Sequence, residues 1–104
     1  MQDYKKEIQY IKDQIIKNYN PEKIILFGSA ARNEFTENSD IDILVVKNTE
    51  KKKFERMCEL RRLIEYNIPL DIVIYTPEEI EYASQSGNDF IKTIYSEGVV
   101  LYEQ

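Results

Sequence analysis

The sequence contains no histidine, and this absence narrows the chemistry available to the chain. Without an imidazole there is no histidine general base, nucleophile or metal ligand. Proton transfer must therefore use carboxylates, lysine, tyrosine or the substrate itself. Because oxygen atoms are then the main protein ligands, any metal site is expected to favour Mg²⁺, Mn²⁺ or Ca²⁺.

Cysteine and long apolar runs are also scarce. Cys58 is the single cysteine of the 104 residues, which excludes an internal disulfide framework and a cysteine zinc cluster, and we interpret it as a small core residue. No apolar run approaches the roughly 18 residues of a membrane span. Residues 1–7 lack the apolar segment of a signal peptide. We therefore expect a cytoplasmic protein with no membrane association.

The charge balance is acidic, with a formal net charge of −5. An acidic chain is poorly suited to tight, sequence-independent binding of nucleic acid, in which Lys and Arg neutralise phosphates. The same charge is compatible with a basic protein partner. We interpret the basic run at residues 51–53 as a solvated helix start, not as a nucleic-acid patch.

Hydrophobic periodicity predicts one α/β (α+β) domain, residues 1–104, with a small mixed sheet flanked by helices. The predicted order is α-β-α-β-α-β-α-α-β. Strands are predicted at residues 23–27, 40–46, 70–75 and 99–102, the last as an edge strand. Helices are predicted at residues 4–19, 51–66 and 90–96, and Phe54 is expected on or near the apolar face of the second of these. Two further helices are predicted to begin at Ser29, as a possible cap, and at Thr76, as a cap. Residues 33–39 are predicted to form a polar turn.

Two aspartates on the second predicted strand are the first candidate site residues. Asp40 and Asp42 are two positions apart, so on a strand they point to the same face, while Ile41 and Ile43 face the core. Carboxylates side by side on an apolar strand repel each other, and their burial is costly. A divalent cation removes this repulsion, and a spacing of roughly 6–7 Å along the strand lies within reach of one or two shared metals.

A glycine-serine pair ends the preceding strand. Gly28 allows a phosphate to approach the backbone closely, and the helix predicted to follow would present free N–H groups. Ser29 can donate a hydroxyl, and Arg32 offers a planar guanidinium for phosphate oxygens. A phosphate-binding turn followed by metal-binding carboxylates suits a metal–nucleoside triphosphate.

Asp71 is the only charged residue in the third predicted strand, residues 70–75. If this strand lies beside the strand of Asp42, as we predict, Asp71 completes a three-carboxylate site. Such a carboxylate near an acceptor hydroxyl can hold a metal and take up the proton. Two metals would then stabilise both the attacking and the leaving oxygen of a displacement at the α-phosphorus.

The spacing Gly28-Ser29, ten residues, Asp40-x-Asp42 resembles the signature of the nucleotidyltransferase superfamily that includes DNA polymerase beta. The short chain looks like the minimal nucleotidyltransferases, or MNT proteins, and the resemblance extends from the first helix to residues 97–102. It implies a polymerase beta-like fold, ATP as substrate, Gly28 and Ser29 on the triphosphate, and two Mg²⁺ held by Asp40, Asp42 and Asp71.

The resemblance also implies a partner. Many MNT proteins are antitoxins paired with HEPN-domain RNase toxins, and some transfer AMP to a tyrosine of the toxin, so a hetero-oligomer is expected. The sequence departs from the family pattern at two places, where Ala30 replaces a bulky or basic residue and Asn33 replaces a glycine. Asparagine tolerates left-handed backbone, so the turn at Asn33 can be retained.

Each candidate site residue also has a purely structural interpretation. Gly28-Ser29 can be an ordinary turn, Asp40 a turn cap and Asp71 a surface residue of an edge strand, while Arg32 can pair with Glu34 or Glu37. Three functions remain open: an enzyme antitoxin that modifies its toxin, an antitoxin that neutralises it by binding alone, and a small-molecule nucleotidyltransferase subunit. The sequence shows no element that reads the edge of a nucleobase.

Overall fold

In the computed structural model, which describes residues 3–34, 36 and 38–104, helices and strands follow the predicted order. The helices are α1 (Tyr4–Tyr19), α2 (Gly28–Ala31), α3 (Lys53–Leu63), α4 (Pro77–Gln85) and α5 (Asp89–Glu97). The strands are β1 (Lys23–Phe27), β2 (Ile41–Val46), β3 (Leu70–Tyr75) and β4 (Val99–Glu103).

Local chemistry accounts for the ends of α1, whose predicted bounds are confirmed. The Asp3 carboxylate accepts a hydrogen bond from the Lys6 N–H at 3.2 Å, so one free amide of the first turn is satisfied. At the other end Asn20 adopts a left-handed conformation with φ of 48°, and Pro21 prevents the helix from continuing.

Three predictions of local structure were wrong. Helix α2 begins at Gly28, with Phe27 in the capping position, so Ser29 is not its cap. Helix α3 is shorter than residues 51–66, because it begins at Lys53 and ends at Leu63, which is followed by Ile64 in an extended conformation. Phe54 does not face the core, since it is 71% exposed in the first turn of that helix. The predicted turn at 33–39 includes residues 35 and 37, which lie outside the described residues.

The four strands form one mixed sheet in the order β3-β2-β1-β4. Strand β1 is antiparallel to both β2 and β4, whereas β2 and β3 are parallel. The mixed sheet and the position of β4 at an edge are confirmed. Parallel pairing of β2 with β3 starts both strands at the same end of the sheet, which matters for the aspartates.

Helices cover both faces of the sheet. On one face, α1 and α3 pack against alternate residues of the strands, including Ile41, Ile43 and Val45 of β2. On the other face, α4 and α5 pack against Ile25 and Leu44. Because alternate strand residues point to opposite faces, burial of the isoleucines on the first face places Asp42 on the face of α4 and α5. Among the described residues, no helix has both the length and the apolar character needed to cross a bilayer.

Two arginines of α3 cover the outer edge of β3. Arg56 donates to the Ile74 carbonyl at 3.1 Å, and Arg61 donates to the Leu70 carbonyl at 2.7 Å. Carbonyl groups on an unpaired strand edge otherwise invite pairing with another chain. The arginines therefore satisfy this edge and attach α3 to the sheet.

Arg56 also joins α3 to the start of α4. Its side chain is only 6% exposed and contacts both carboxylate oxygens of Glu79, at 2.7 and 3.2 Å. Glu79 in turn accepts the Thr76 N–H at 2.8 Å, which completes the predicted cap of α4 as a capping box. The hydrogen bond from Arg56 holds the pKa of Glu79 below its ordinary value.

Replacing Arg56 by methionine is expected to lower the free energy of unfolding by about 2–3 kcal/mol, because Glu79 loses its partner and the Ile74 carbonyl is left unsatisfied. Urea unfolding measures the change, with Arg62→Met as the exposed control on the same helix. Because folding lowers the pKa of Glu79, the stability that its ion pair with Arg56 contributes is present above the pKa of Glu79 in the unfolded chain. It is lost as the pH falls through the pKa of Glu79 in the folded protein. Equal stability of the two variants at pH 7 would contradict the assigned role.

Candidate functional site

Asp42 and Asp71 lie side by side at one end of the sheet. Each is the second residue of its strand, and the parallel register pairs them directly. Paired residues of neighbouring strands point to the same face, and the strands are about 4.8 Å apart. The predicted neighbourhood of the two strands is confirmed, and it brings the two carboxyl groups within hydrogen-bonding distance.

The Asp42 carboxyl group has an unusual environment. Partial burial, the hydrogen bond with Asp71 and the negative charges of Asp71 and Asp40 together raise its pKa from 3.8 to about 6. Each of these factors disfavours a second negative charge at this place. The site thus lacks positive charge, which is the condition expected where a cation binds next to carboxylates.

Asp40 differs from its predicted position. It precedes β2, which begins at Ile41, and its side chain is exposed. Its charge still acts on Asp42, so the three predicted carboxylates share one region. Within the described part of the chain, however, no group of three such side chains is already close enough to hold a metal ion. Asp42 and Asp71 therefore form a close pair of carboxylates, and Asp40 is a third carboxylate nearby.

The donor set fits a hard divalent cation. Asp42 is half-buried, whereas Asp40 and Asp71 are exposed and can move toward a ligand. All three supply carboxylate oxygens, which Mg²⁺ prefers together with water and phosphate oxygens. A cation would also relieve the repulsion that raises the Asp42 pKa.

Gly28 lies at the same end of the sheet as these carboxylates, directly after the neighbouring strand β1. Phe27, the last residue of β1, pairs with Asp42, so Gly28 immediately follows that pair. Gly28 has φ of +73°, and a Cβ added there would overlap the Asp42 carboxylate, with 3.2 Å to its Cγ. Only glycine therefore allows the backbone and this carboxylate to be so close.

The turn after α2 contains a residue in the left-handed conformation and is closed by a backbone hydrogen bond. Asn33 adopts φ of +60°, so the prediction that asparagine can replace glycine in this turn is confirmed. The Glu34 N–H donates to the Ser29 carbonyl at 2.9 Å and closes the turn. Arg32 pairs with Glu34 at 3.0 Å on the surface, one of the two structural alternatives for this residue. The other alternative partner, residue 37, lies outside the described residues.

Tyr4 is a residue of the site that sequence analysis did not find. Its hydroxyl group lies 2.9 Å from the carbonyl oxygens of both Thr36 and Ser39, which precede Asp40. The first helix therefore holds the segment that leads into β2. Periodicity marked Tyr4 only as an apolar residue of α1, and no local signal indicates a contact more than 30 residues away.

Replacing Tyr4 by phenylalanine is expected to lower the rate of the nucleotidyl transfer that the sequence predicts roughly 3- to 10-fold, because the segment before Asp40 loses a hydrogen bond that holds it, and to cost about 1 kcal/mol of stability. Tyr10→Phe is the matched control, since Tyr10 lies on the same helix and donates to Glu65 away from the site. Rates measured at saturating nucleotide would decide the question. If both variants reduce the rate equally, Tyr4 does not position the site.

A separate groove of about 740 Å³ lies at the opposite end of β3. Its wall includes Lys53, Arg56 and Tyr75. These cations already have partners, because Lys53 lies 4.1 Å from the ring centroid of Tyr75 and Arg56 pairs with Glu79. The carboxylates lie at the other end of the strands, so the groove is not part of the site described above.

Comparison with known proteins points to the same chemistry. Residues 9–104 match the family described as "Polymerase beta, Nucleotidyltransferase". Two similar proteins of Methanocaldococcus jannaschii are each named "Putative protein adenylyltransferase". One is 36% identical over 80 residues, which are 77% of each chain, and the other is 29% identical over 100 residues, which are 95% of this chain and 92% of its own.

The fold has a counterpart among solved structures. A crystal structure described as that of "a putative nucleotidyltransferase from Sulfolobus solfataricus" has a TM-score of 0.63 and covers 97% of this chain and 86% of its own. At 24% identity this likeness concerns the fold alone. The predicted nucleotidyltransferase fold is confirmed.

Proposed function

Since this chain belongs to the polymerase beta nucleotidyltransferase family, we propose that it transfers AMP from ATP to a hydroxyl group of a protein. The observation that carries the proposal is the direct pairing of Asp42 with Asp71 beside Gly28. The names of the two M. jannaschii relatives support a protein acceptor. The acceptor that best fits is a tyrosine of a HEPN-domain RNase toxin, for which the chain then acts as antitoxin.

In this proposal Asp40, Asp42 and Asp71 hold two Mg²⁺. Bound there, the ions would supply positive charge to the triphosphate oxygens and to the acceptor oxygen. Gly28 leaves its backbone open to the phosphates, and Ser29 donates its hydroxyl to them. Arg32 can exchange its exposed partner Glu34 for a phosphate oxygen, since a surface ion pair of this kind contributes little stability.

The bonds that change follow from this placement. The acceptor oxygen attacks the α-phosphorus and forms a new P–O bond, while the bond to the β-phosphate breaks and pyrophosphate leaves. Asp71 is more exposed than its partner Asp42, so an acceptor hydroxyl group can reach it. Its carboxylate takes the hydroxyl proton as the new bond forms.

The charge of the chain is compatible with an acceptor that another protein presents. A net charge of −5 favours a basic partner. A hetero-oligomer with the toxin would bring the acceptor hydroxyl to the exposed carboxylates. The chain itself does not bind nucleic acid in this proposal.

Labelled ATP tests the function even while the partner is unidentified. The protein and Mg²⁺ are added to lysate of source cells lacking it, with α-labelled or γ-labelled ATP. With the natural protein we expect one band that carries α label and no γ label. The same band should appear with the Asp13→Asn protein and should be absent with the Asp42→Asn protein. Asp13 is the control because it is an exposed carboxylate on α1.

The other outcomes separate the alternatives. Capture of a partner without any label would favour an antitoxin that acts by binding alone. Label on small molecules in place of protein would favour a small-molecule nucleotidyltransferase. Label from γ-ATP on that same band, present with Asp13→Asn protein and absent with Asp42→Asn protein, would indicate phosphoryl transfer by this chain and would contradict the proposal.

A further inference from the structure

An exposed aromatic ring lies beside the carboxylate pair. Phe27 is the register partner of Asp42, so the two side chains lie on the same face of the sheet, about 5 Å apart. The ring of Phe90, in the first turn of α5, lies 5.8 Å from the Phe27 ring at an angle of 89°. Phe27 therefore lies between strand partners of the site and helix α5: it pairs with Asp42 in the sheet, and its ring contacts the Phe90 ring.

Packing in the hydrophobic core does not explain why position 90 holds a phenylalanine. Helix α5 attaches to the sheet through Ile91 and Ile94, each only 2% exposed, whereas Phe90 is 46% exposed. In a perpendicular pair the edge of one ring meets the face of the other, so Phe27 covers at most one face of the half-exposed Phe90 ring. A large apolar ring that is half exposed next to polar groups has the character of a ligand-binding residue.

We propose that Phe90 is the stacking platform for the nucleobase of the bound nucleotide, and this inference rests on the proposed function. With the phosphates at Gly28 and the carboxylates, the base must lie one ribose away. The Phe90 ring contacts the ring of Phe27, the register partner of Asp42, with 5.8 Å between the ring centroids. A nucleotide whose phosphates lie at Gly28 and Asp42 can therefore place its base on Phe90.

Stacking also accounts for the absence of a base-reading element in the sequence. An aromatic face accepts every nucleobase and prefers the larger purines, without hydrogen bonds to a base edge. The structure therefore assigns to Phe90 a general contribution to affinity, stronger for ATP than for CTP.

The test compares ligands that share phosphates and differ in the base. Binding of ATP, CTP and inorganic tripolyphosphate, each with Mg²⁺, is measured calorimetrically for the natural protein and for Phe90→Leu. We expect Phe90→Leu to weaken ATP about 10-fold, CTP less, and tripolyphosphate less than 2-fold. Phe54→Leu is the matched control, because Phe54 is 71% exposed and lies beyond the opposite end of β2, and it should change none of these.

A second variant reports on the contact itself. The chain contains no tryptophan, so F90W introduces a single indole whose fluorescence should change with ATP and not with tripolyphosphate. The signal of F54W should change with neither ligand. This measurement remains decisive if Phe90→Leu fails to fold, because an aromatic ring is retained.

Each result has one meaning. Unchanged ATP affinity in Phe90→Leu together with an unresponsive F90W would overturn the inference and leave the proposed function intact. Equal loss of ATP and tripolyphosphate would overturn it too, since Phe90 would then only support the site. If the natural protein binds neither ligand, the proposed function fails, and the inference fails with it.

Discussion

Replacing Asp42 by asparagine is expected to abolish nucleotidyl transfer while making the metal-free protein more stable at pH 7. Loss of a group behind a metal ligand typically costs 10- to 100-fold, so loss of a ligand itself should cost at least about 100-fold. Stability rises because the amide has no charge to repel Asp71 and Asp40. Opposite changes in activity and stability are the mark of a site whose charges serve binding and oppose folding.

The pH dependence of Asp42 has a definite sign. Its folded pKa of about 6 is above the ordinary 3.8, so the folded protein binds this proton more tightly than the unfolded chain does. The metal-free protein should therefore gain stability as the pH falls from 7 to 5, by on the order of 1 kcal/mol because the side chain is partly exposed. Above pH 6 the full cost of the charge remains.

Thermal unfolding in chelator at pH 5 and pH 7 measures this effect. Asp13→Asn should keep the pH dependence of the natural protein, whereas Asp42→Asn should lose most of it. Added Mg²⁺ should stabilise the natural protein at pH 7 and have little effect on Asp42→Asn. A natural protein that is more stable at pH 7 than at pH 5 in chelator would contradict the charge assignment.

Replacing Gly28 by alanine is expected to have the second largest effect. The variant has two costs: a left-handed φ of +73°, and overlap of the new Cβ with the Asp42 carboxylate. The first costs about 1 kcal/mol, and the second forces Asp42 out of the site or moves the turn. Transfer should fall at least about 10-fold, since catalysis depends on the placement of these groups within a fraction of an ångström.

Gly87 offers a matched control for the backbone term. It has a similar φ of +78°, and a Cβ added there would meet no atom within 4 Å. Gly87→Ala should therefore lose about 1 kcal/mol of stability and retain transfer. If Gly28→Ala and Gly87→Ala behave alike in both measurements, contact with Asp42 is not the reason for glycine at position 28.

The carboxylate pair shows which features of the candidate site could be predicted from the sequence. Apolar residues around Asp42 and around Asp71 predicted two strands, and the lone charge of Asp71 marked it as a candidate site residue, because these signals are local. Their direct pairing depends on the parallel register of β2 and β3. The position of Asp40 just outside β2 was not predictable, since strand ends depend on which hydrogen bonds the neighbouring strand offers.

The wrong prediction for Phe54 has a physical cause. Phe54 has the spacing of an apolar face, yet it lies on the solvent side of the first turn of α3, where it is 71% exposed. Hydrophobic spacing reports a possible face, whereas burial depends on where the helix is attached. For α3 the attachment includes Arg56 and Arg61, whose contacts with β3 carry no sequence signal.

By itself, the sequence determined the order of elements, the bounds of α1, the cap of α4, and the residue types that restrict the chemistry to oxygen ligands, because each follows from near neighbours along the chain. Only the tertiary structure decided that Asp42 meets Asp71, that Tyr4 holds the segment before Asp40, and that Phe90 lies beside Phe27. These contacts join distant parts of the chain. Their geometry depends on register and packing, which no local pattern specifies.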